Sequence, residues 1–289
     1  MFEPLPALIA AALSTLALSG AALAVGSSAS GVPDELIAAQ RAKLAEETKG
    51  AGFGPQSPRD IGAAAGRNPR LFSTAPDYRQ MNLCNIHFHE SAEHRGGEFT
   101  RYAGNGDGNG YGTGYVYDGE LSTAELAPLA QPIGSNAHGG LEPGDTIELH
   151  YVHTTAQAQP GPTLGACLSD AVKNPQLRVE AQVFVLVNDE NALDFNYLTE
   201  LGMRGGLHQA LHIPEDSGTP VVYAGSTTGP SYNEAGSPFE VTWSVRPKVA
   251  RVNIHSVGKW LESNIFDEDH AHGVRNLVLN PALLSDITR

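Results

Sequence analysis

The stretch from Cys84 to Phe99, CNIHFHESAEHRGGEF, places three histidines and three glutamates within sixteen residues. In an extended strand successive side chains alternate between faces, so Asn85, His87 and His89 point one way while Cys84, Ile86 and Phe88 point the other. Two imidazoles therefore share one side, which is half of a metal site. A catalytic zinc takes three protein ligands and keeps a fourth position for water, so one more donor must come from elsewhere in the chain. The segment DTIELHYVHTTAQ offers it. Glu148, His150 and Val152 share one strand face there, Leu149, Tyr151 and His153 the other, and His150 is the third candidate ligand. Each histidine alone is more often a hydrogen-bonded structural residue than a ligand. Together, H-x-H and a later E-x-H in apolar strand patterns point to a metal.

The elements that must carry these residues are short and alternating. NLCNIHFH, TGYVYDG, DTIELHYVH, LRVEAQVFVLVND, PVVYAGS, FEVTWSV and ARVNIHSV each read as strands between turn residues. The fold class expected is mainly β, a single domain on a central, largely antiparallel sheet with few short helices. GKWLESNIFDEDHAHGVRNLV adds a terminal helix. The Gly-rich AGNGDGNGYGTG alternates Asn105, Asp107 and Asn109 but lacks the twelfth-position glutamate and flanking helices of a calcium loop. It reads as a β-hairpin connection.

Composition narrows the function classes. The 289 residues carry a net charge of −14 with no Lys/Arg-rich run, which argues against a nucleic-acid partner, since phosphate binding needs a basic footprint. A small-molecule substrate fits better. Residues 7–24, ALIAAALSTLALSGAALA, resemble the apolar core of a signal peptide ending in a small-residue cleavage site, although the preceding MFEPLP has no Lys or Arg. The run also reaches the length of a membrane span, so a retained anchor is the alternative. The organisation expected is a signal peptide at 1–24, a polar leader at 25–70 with a helix over roughly 33–48, and a catalytic domain at 71–289. Export implies a periplasmic or extracellular protein in an oxidising compartment, where the two cysteines, Cys84 and Cys167, are expected to form one disulfide.

HFHESAEH, then IELHYVH, then YAGSTTGP with FEVTW, resemble in order the H-x-H-x-x-x-E-H, E-L-H-x-V-H and Y-x-G-S-L-T-T-P-P/V-x-W blocks of α-class carbonic anhydrases. The chain as a whole looks more like the δ class and its bacterial relatives. The resemblance implies an α-carbonic-anhydrase-like sheet and a lyase that hydrates carbon dioxide reversibly to bicarbonate and a proton, using zinc-bound hydroxide. It implies Zn2+ held by His87, His89 and His150, and Glu93 as the buried glutamate that orients the hydroxyl of Thr227. Thr228 would stand beside the substrate, and Asn85 and Glu148 would steady the imidazoles. Val152, on the face of His150, is a candidate wall for the small apolar pocket that carbon dioxide would occupy. The threonine loop departs from the pattern: it is one residue shorter, and Gly229 replaces a proline. No N-G-H segment supplies a proton-shuttle histidine, so that role is unassigned among His138, His208, His212, His270 and His272.

Two other function classes share some of these features. In a cupin, H-x-H-x-x-x-E and EPGDTIELH would make Glu93 a ligand to iron, manganese or nickel, but YAGSTTGP and FEVTW have no part in that site. A catalytically silent binding protein on the same scaffold would be expected to have lost a ligand histidine, and all three candidates are present. Oligomeric state is not legible in the sequence.

Overall fold

The computed structural model describes residues 31–47, 59–63, 73–226 and 240–274. Its centre is a six-stranded mixed sheet, whose strands are numbered here β1 (Asn82–Glu90), β2 (Thr146–Thr154), β3 (Leu177–Val187), β4 (Val221–Ser226), β5 (Glu240–Val245) and β6 (Ala250–Asn253). The order is β4-β5-β3-β2-β1, and β6 also pairs with β3. Contacts β1·β2, β2·β3 and β4·β5 are antiparallel; β5 and β6 run parallel to successive halves of β3. The mainly β expectation holds, and the two parallel contacts make the sheet mixed. β2 is buried along its whole length and β3 nearly so, which explains why LRVEAQVFVLV is an almost unbroken apolar run: central strands covered on both faces need little polar alternation.

Two apolar clusters sandwich the sheet. On one face Leu83, Ile86, Phe88, Leu149 and Tyr151 pack with Phe195 and Trp260. Phe88 and Phe195 meet edge to face at 5.4 Å, and Phe195 and Trp260 at 5.2 Å, an arrangement that adds to simple burial. On the other face Cys84, Val152, Val179, Ala181 and Val183 pack with Tyr223 and Trp243. This second face carries the histidines.

Strand parity fails at one position. Leu83 pairs with His153 and Asn85 with Val152, so Cys84 is an extra residue in the ladder. Such a bulge locally reverses the alternation of faces. Cys84 consequently packs with Val152 on the histidine side, not with Ile86 and Phe88 as alternation predicts. There it is bonded to Cys167, in the connection between β2 and β3.

ARVNIHSV also divides differently from the expectation. The strand ends at Asn253, whose side chain accepts from the His255 amide and caps a helix, α1 in this numbering, at Ile254–Glu262; asparagine is among the preferred caps. The expected terminal helix contributes its opening residues to α1, and beyond Ser263 the described chain is irregular.

Parts of the segment expected to be a leader pack on the rest of the described chain. A helix spans Asp34–Glu47, the Asn105 amide donates to Asp34 and to the Val32 carbonyl, and Ile37 is buried. Arg59–Asp60 pairs with His94–Arg95. The apolar run at 7–24 lies outside the described residues, and no helix among those described is long and apolar enough to cross a membrane.

His153, on the face away from the other histidines, is fully buried and gives its Nδ1 proton to the Tyr151 carbonyl. Burial pulls its pKa down to about 3 from 6.5. As pH falls through 6.5 the unfolded chain takes up this proton and the folded chain does not until near 3. The group therefore costs nothing above 6.5 and destabilises progressively below it, by about 1.4 kcal/mol per pH unit. Denaturant unfolding from pH 7 to 4 should show this extra slope in the parent protein, and His153→Phe should remove it.

Candidate metal centre

The register of β1 against β2 sets His87 directly opposite His150, His89 opposite Glu148, and Asn85 opposite Val152. Ring nitrogens of His87, His89 and His150 all lie within 4.8 Å of one another. His87 Nε2 and His150 Nδ1 are 3.3 Å apart. The three rings meet edge to face, with centroids 5.1 Å apart for His87 and His150 and 4.8 Å for His89 and His150.

What these nitrogens present to each other follows from their other partners. His87 Nδ1 lies 2.6 Å from the Asn85 side-chain oxygen, an acceptor, so the proton sits on Nδ1 and Nε2 carries a lone pair. His150 Nε2 lies 3.2 Å from Glu148 Oε1, which likewise favours the proton on Nε2 and a lone pair on Nδ1. Two lone pairs thus face one another across 3.3 Å, an arrangement that repels unless a cation lies between them. Loss of solvation, then the neighbouring His150, His89 and His272, hold the His87 pKa well below its ordinary value, so the ring stays neutral. Neutral imidazoles aimed at one point are a donor set that suits zinc.

Behind His150 lies a buried polar network. Burial alone would raise the Glu148 carboxyl, but His94 and His150 hold it well below the usual carboxylate range. Its Oε2 accepts the backbone amides of Glu93 and His94, at 2.5 and 3.1 Å, and its Oε1 faces His94 Nδ1 at 2.5 Å. Ser91, at φ +66°, turns the chain after β1 and brings those amides round to the carboxylate. His94 Nε2 meets the Tyr223 hydroxyl at 2.6 Å, and Trp243 stands edge-on to both His94 and His150. β4 and β5 are thereby tied to the site.

Glu93 is nearly buried, with Oε2 4.0 Å from His150 Nε2, the ring nitrogen turned away from His87. It is not among the residues whose donor atoms cluster with His87 and His89. Val152 is 1% exposed and on the histidine face. Thr227 and Thr228 lie outside the described residues.

Among the five remaining histidines considered from sequence, His272 alone stands beside the trio. Its ring centroid is 5.5 Å from His87 and 6.0 Å from His89. Backbone bonds to Phe88 and Glu90 hold it there, its Nε2 faces Glu268 at 2.5 Å, and its side chain is 46% exposed. His270 stacks on it at the surface. The segment is held close to the Gly-rich hairpin at Gly110, whose φ is +100° and where a Cβ would lie 2.3 Å from the Val274 carbonyl oxygen. His138 stacks on Tyr111, His212 on Tyr197, and the His208 amide donates to Asn82.

Sequence reasoning overlooked His94, Tyr223 and Trp243 as parts of the site. Their signal was present: each falls inside a quoted block, His94 directly after Glu93, but none has a spacing that by itself indicates a metal.

A family model for delta carbonic anhydrase matches residues 78–256, which include every residue of the histidine cluster and its network. The chain belongs to the delta carbonic anhydrase family. Among solved structures it is similar to an alpha-carbonic anhydrase from Photobacterium profundum, at 16% identity over 83% of this chain and 93% of that one, with a TM-score of 0.26; a superposition that loose carries no argument. No curated protein matches the chain.

The network makes a stability prediction that does not involve a metal. His94→Ala leaves the buried Glu148 carboxylate without its closest side-chain hydrogen-bond partner, and a hydrogen bond to a charged group contributes about 1.5–3 kcal/mol. Denaturant unfolding of metal-free protein should show a drop of about that size, whereas substituting the exposed His270 by Ala should shift stability by no more than about 0.5 kcal/mol.

Proposed function

We propose that His87, His89 and His150 hold one Zn2+ and that the chain hydrates carbon dioxide reversibly to bicarbonate and a proton. The observation that supports this most directly is the convergence of ring nitrogens of His87, His89 and His150 within 4.8 Å of one another, with His87 Nε2 and His150 Nδ1 3.3 Å apart, and family membership names the enzyme class. Zinc in such a site lowers the pKa of a bound water toward neutrality, an effect best documented in carbonic anhydrases themselves, and so supplies a nucleophile at neutral pH.

The chain's own residues then have distinct tasks. Asn85 and Glu148 fix the tautomers and orientations of His87 and His150. Val152 and Trp243 exclude water from one side and leave an apolar wall against which carbon dioxide rests. Thr227, its hydroxyl given to Glu93, accepts a hydrogen bond from the attacking oxygen and aims it at the carbon, with Thr228 beside the substrate. The orientation comes from Glu93 as an acceptor: a carboxylate cannot donate, so Thr227 must. The position of Glu93 behind His150 favours this role over that of a ligand in a cupin site.

We assign residues 1–24 to an export signal, 25–70 to a leader and 71–289 to the catalytic domain. The Cys84–Cys167 bridge supports a periplasmic or extracellular location, since disulfides persist in oxidising compartments.

The test combines metal analysis with a carbon dioxide hydration assay. Purified protein should contain about one zinc per chain and be active, and His150→Ala should lose both. Thr227→Ala should keep its zinc and lose about a hundredfold in rate, equivalent to roughly 2–3 kcal/mol of transition-state stabilisation. If Glu93→Gln instead lost the metal while Thr227→Ala stayed fully active, the site would be of the cupin kind.

A further inference from the structure

Asn85 is the residue through which His87 is oriented, and an amide can be oriented in two ways. With its oxygen toward His87 Nδ1 it demands a proton there and leaves Nε2 free to bind metal. Flipped, its NH2 would donate to Nδ1, force the proton onto Nε2 and remove that nitrogen as a ligand. The choice is made on the far side of the amide, where Asn85 Nδ2 donates to the Gly161 carbonyl at 3.1 Å. A carbonyl accepts and cannot donate, so it admits only the orientation that His87 needs.

Gly161 belongs to residues 155–176, the irregular connection between β2 and β3, and its place against β1 has two fixings. Its amide donates to the Cys84 carbonyl at 3.0 Å. Further along, Cys167 is bonded to Cys84 itself, and the Cys167 carbonyl accepts from the Thr154 hydroxyl at 2.7 Å. The bulge at Cys84 makes this possible, because it turns the sulfur to the histidine side directly before Asn85 in the chain. An uninterrupted strand would have sent the bridge to the opposite face.

We infer that the Cys84–Cys167 bridge is a positioning element of the metal site: by holding Gly161 against Asn85 it fixes the tautomer of His87 and thereby the affinity for the metal. The inference rests on the zinc reading above and goes beyond it, since it makes metal retention depend on a bond that lies outside the ligand set. In an oxidising compartment the site is complete; in a reducing one the clamp opens. Reduction by a water-soluble phosphine splits the S–S bond into two thiols, while the phosphine takes an oxygen from water and leaves as the phosphine oxide.

The experiment is a zinc affinity cycle by chelator competition on the full chain. Joint replacement Cys84→Ala and Cys167→Ala should weaken zinc binding by about tenfold or more, within the 10–100-fold range known for partners of ligating histidines. Asn85→Ala should fall in the same range. In the Asn85→Ala background, removing the bridge should add less than about twofold, because the amide through which it acts is gone. Metal-free protein gives a second readout: long-range proton–nitrogen spectra should show His87 as the Nδ1–H tautomer when bridged and as a mixture when unbridged. Should the double variant not fold, the phosphine-reduced parent protein serves for both measurements. An affinity within twofold of the parent after bridge loss, an equal loss in the Asn85→Ala background, or an unchanged His87 tautomer would each overturn the inference. A parent protein that binds no zinc would instead defeat the zinc reading beneath it.

Discussion

Two imidazoles set edge to face across neighbouring strands, with ring nitrogens 3.3 Å apart, are the constraint on which the rest of this structure depends. The β1·β2 register puts His87 across from His150, and a one-residue slip would send one of them to the other face. Each ring has an acceptor near its outer nitrogen, the Asn85 side-chain oxygen at 2.6 Å for one and the Glu148 carboxylate at 3.2 Å for the other. Relaxing either would let a ring turn or change tautomer and end the repulsion. The protein keeps it, as the proposed metal site would require.

Much of the remaining fold serves those two acceptors. Glu148 is a buried carboxylate that stays ionised because two backbone amides and two imidazoles surround it, and those amides are delivered by the left-handed turn at Ser91. His94 carries the network on to Tyr223 on β4, so one edge of the sheet is tied to the residues behind His150. Asn85 is held from the opposite side by Gly161. The two supports are of different kinds: one is an ionic network in the core of the sheet, the other a surface connection fastened by a disulfide.

The clustering of His87, His89 and His150 was readable in the sequence because strand alternation is a strict rule wherever pairing is regular. His87, His89 and His150 each sit in such a stretch, as do Glu148 and Val152. The same rule misplaced Cys84, since a bulge is a break in pairing that leaves no mark in the residue pattern. Asn253 ended a strand that the apolar alternation of ARVNIHSV seemed to continue, because a side-chain cap outweighs a two-residue periodicity at that point. His94, Tyr223 and Trp243 were hidden for another reason. Their meeting is made by sheet order, in which β4 and β5 follow β3 instead of lying next to β1, and single-strand patterns do not encode order. His272 likewise comes to the histidine cluster through backbone pairing with Phe88 and Glu90, a contact across most of the domain.

In the proposed site three imidazoles, and no sulfur or further protein carboxylate, surround one metal ion. X-ray absorption at the zinc edge measures this directly on protein purified with its metal. The expected result is four nitrogen or oxygen neighbours at about 2.0–2.1 Å with the outer-shell scattering of three imidazoles. A sulfur neighbour near 2.3 Å, or fewer than three imidazoles in the fit, would contradict it.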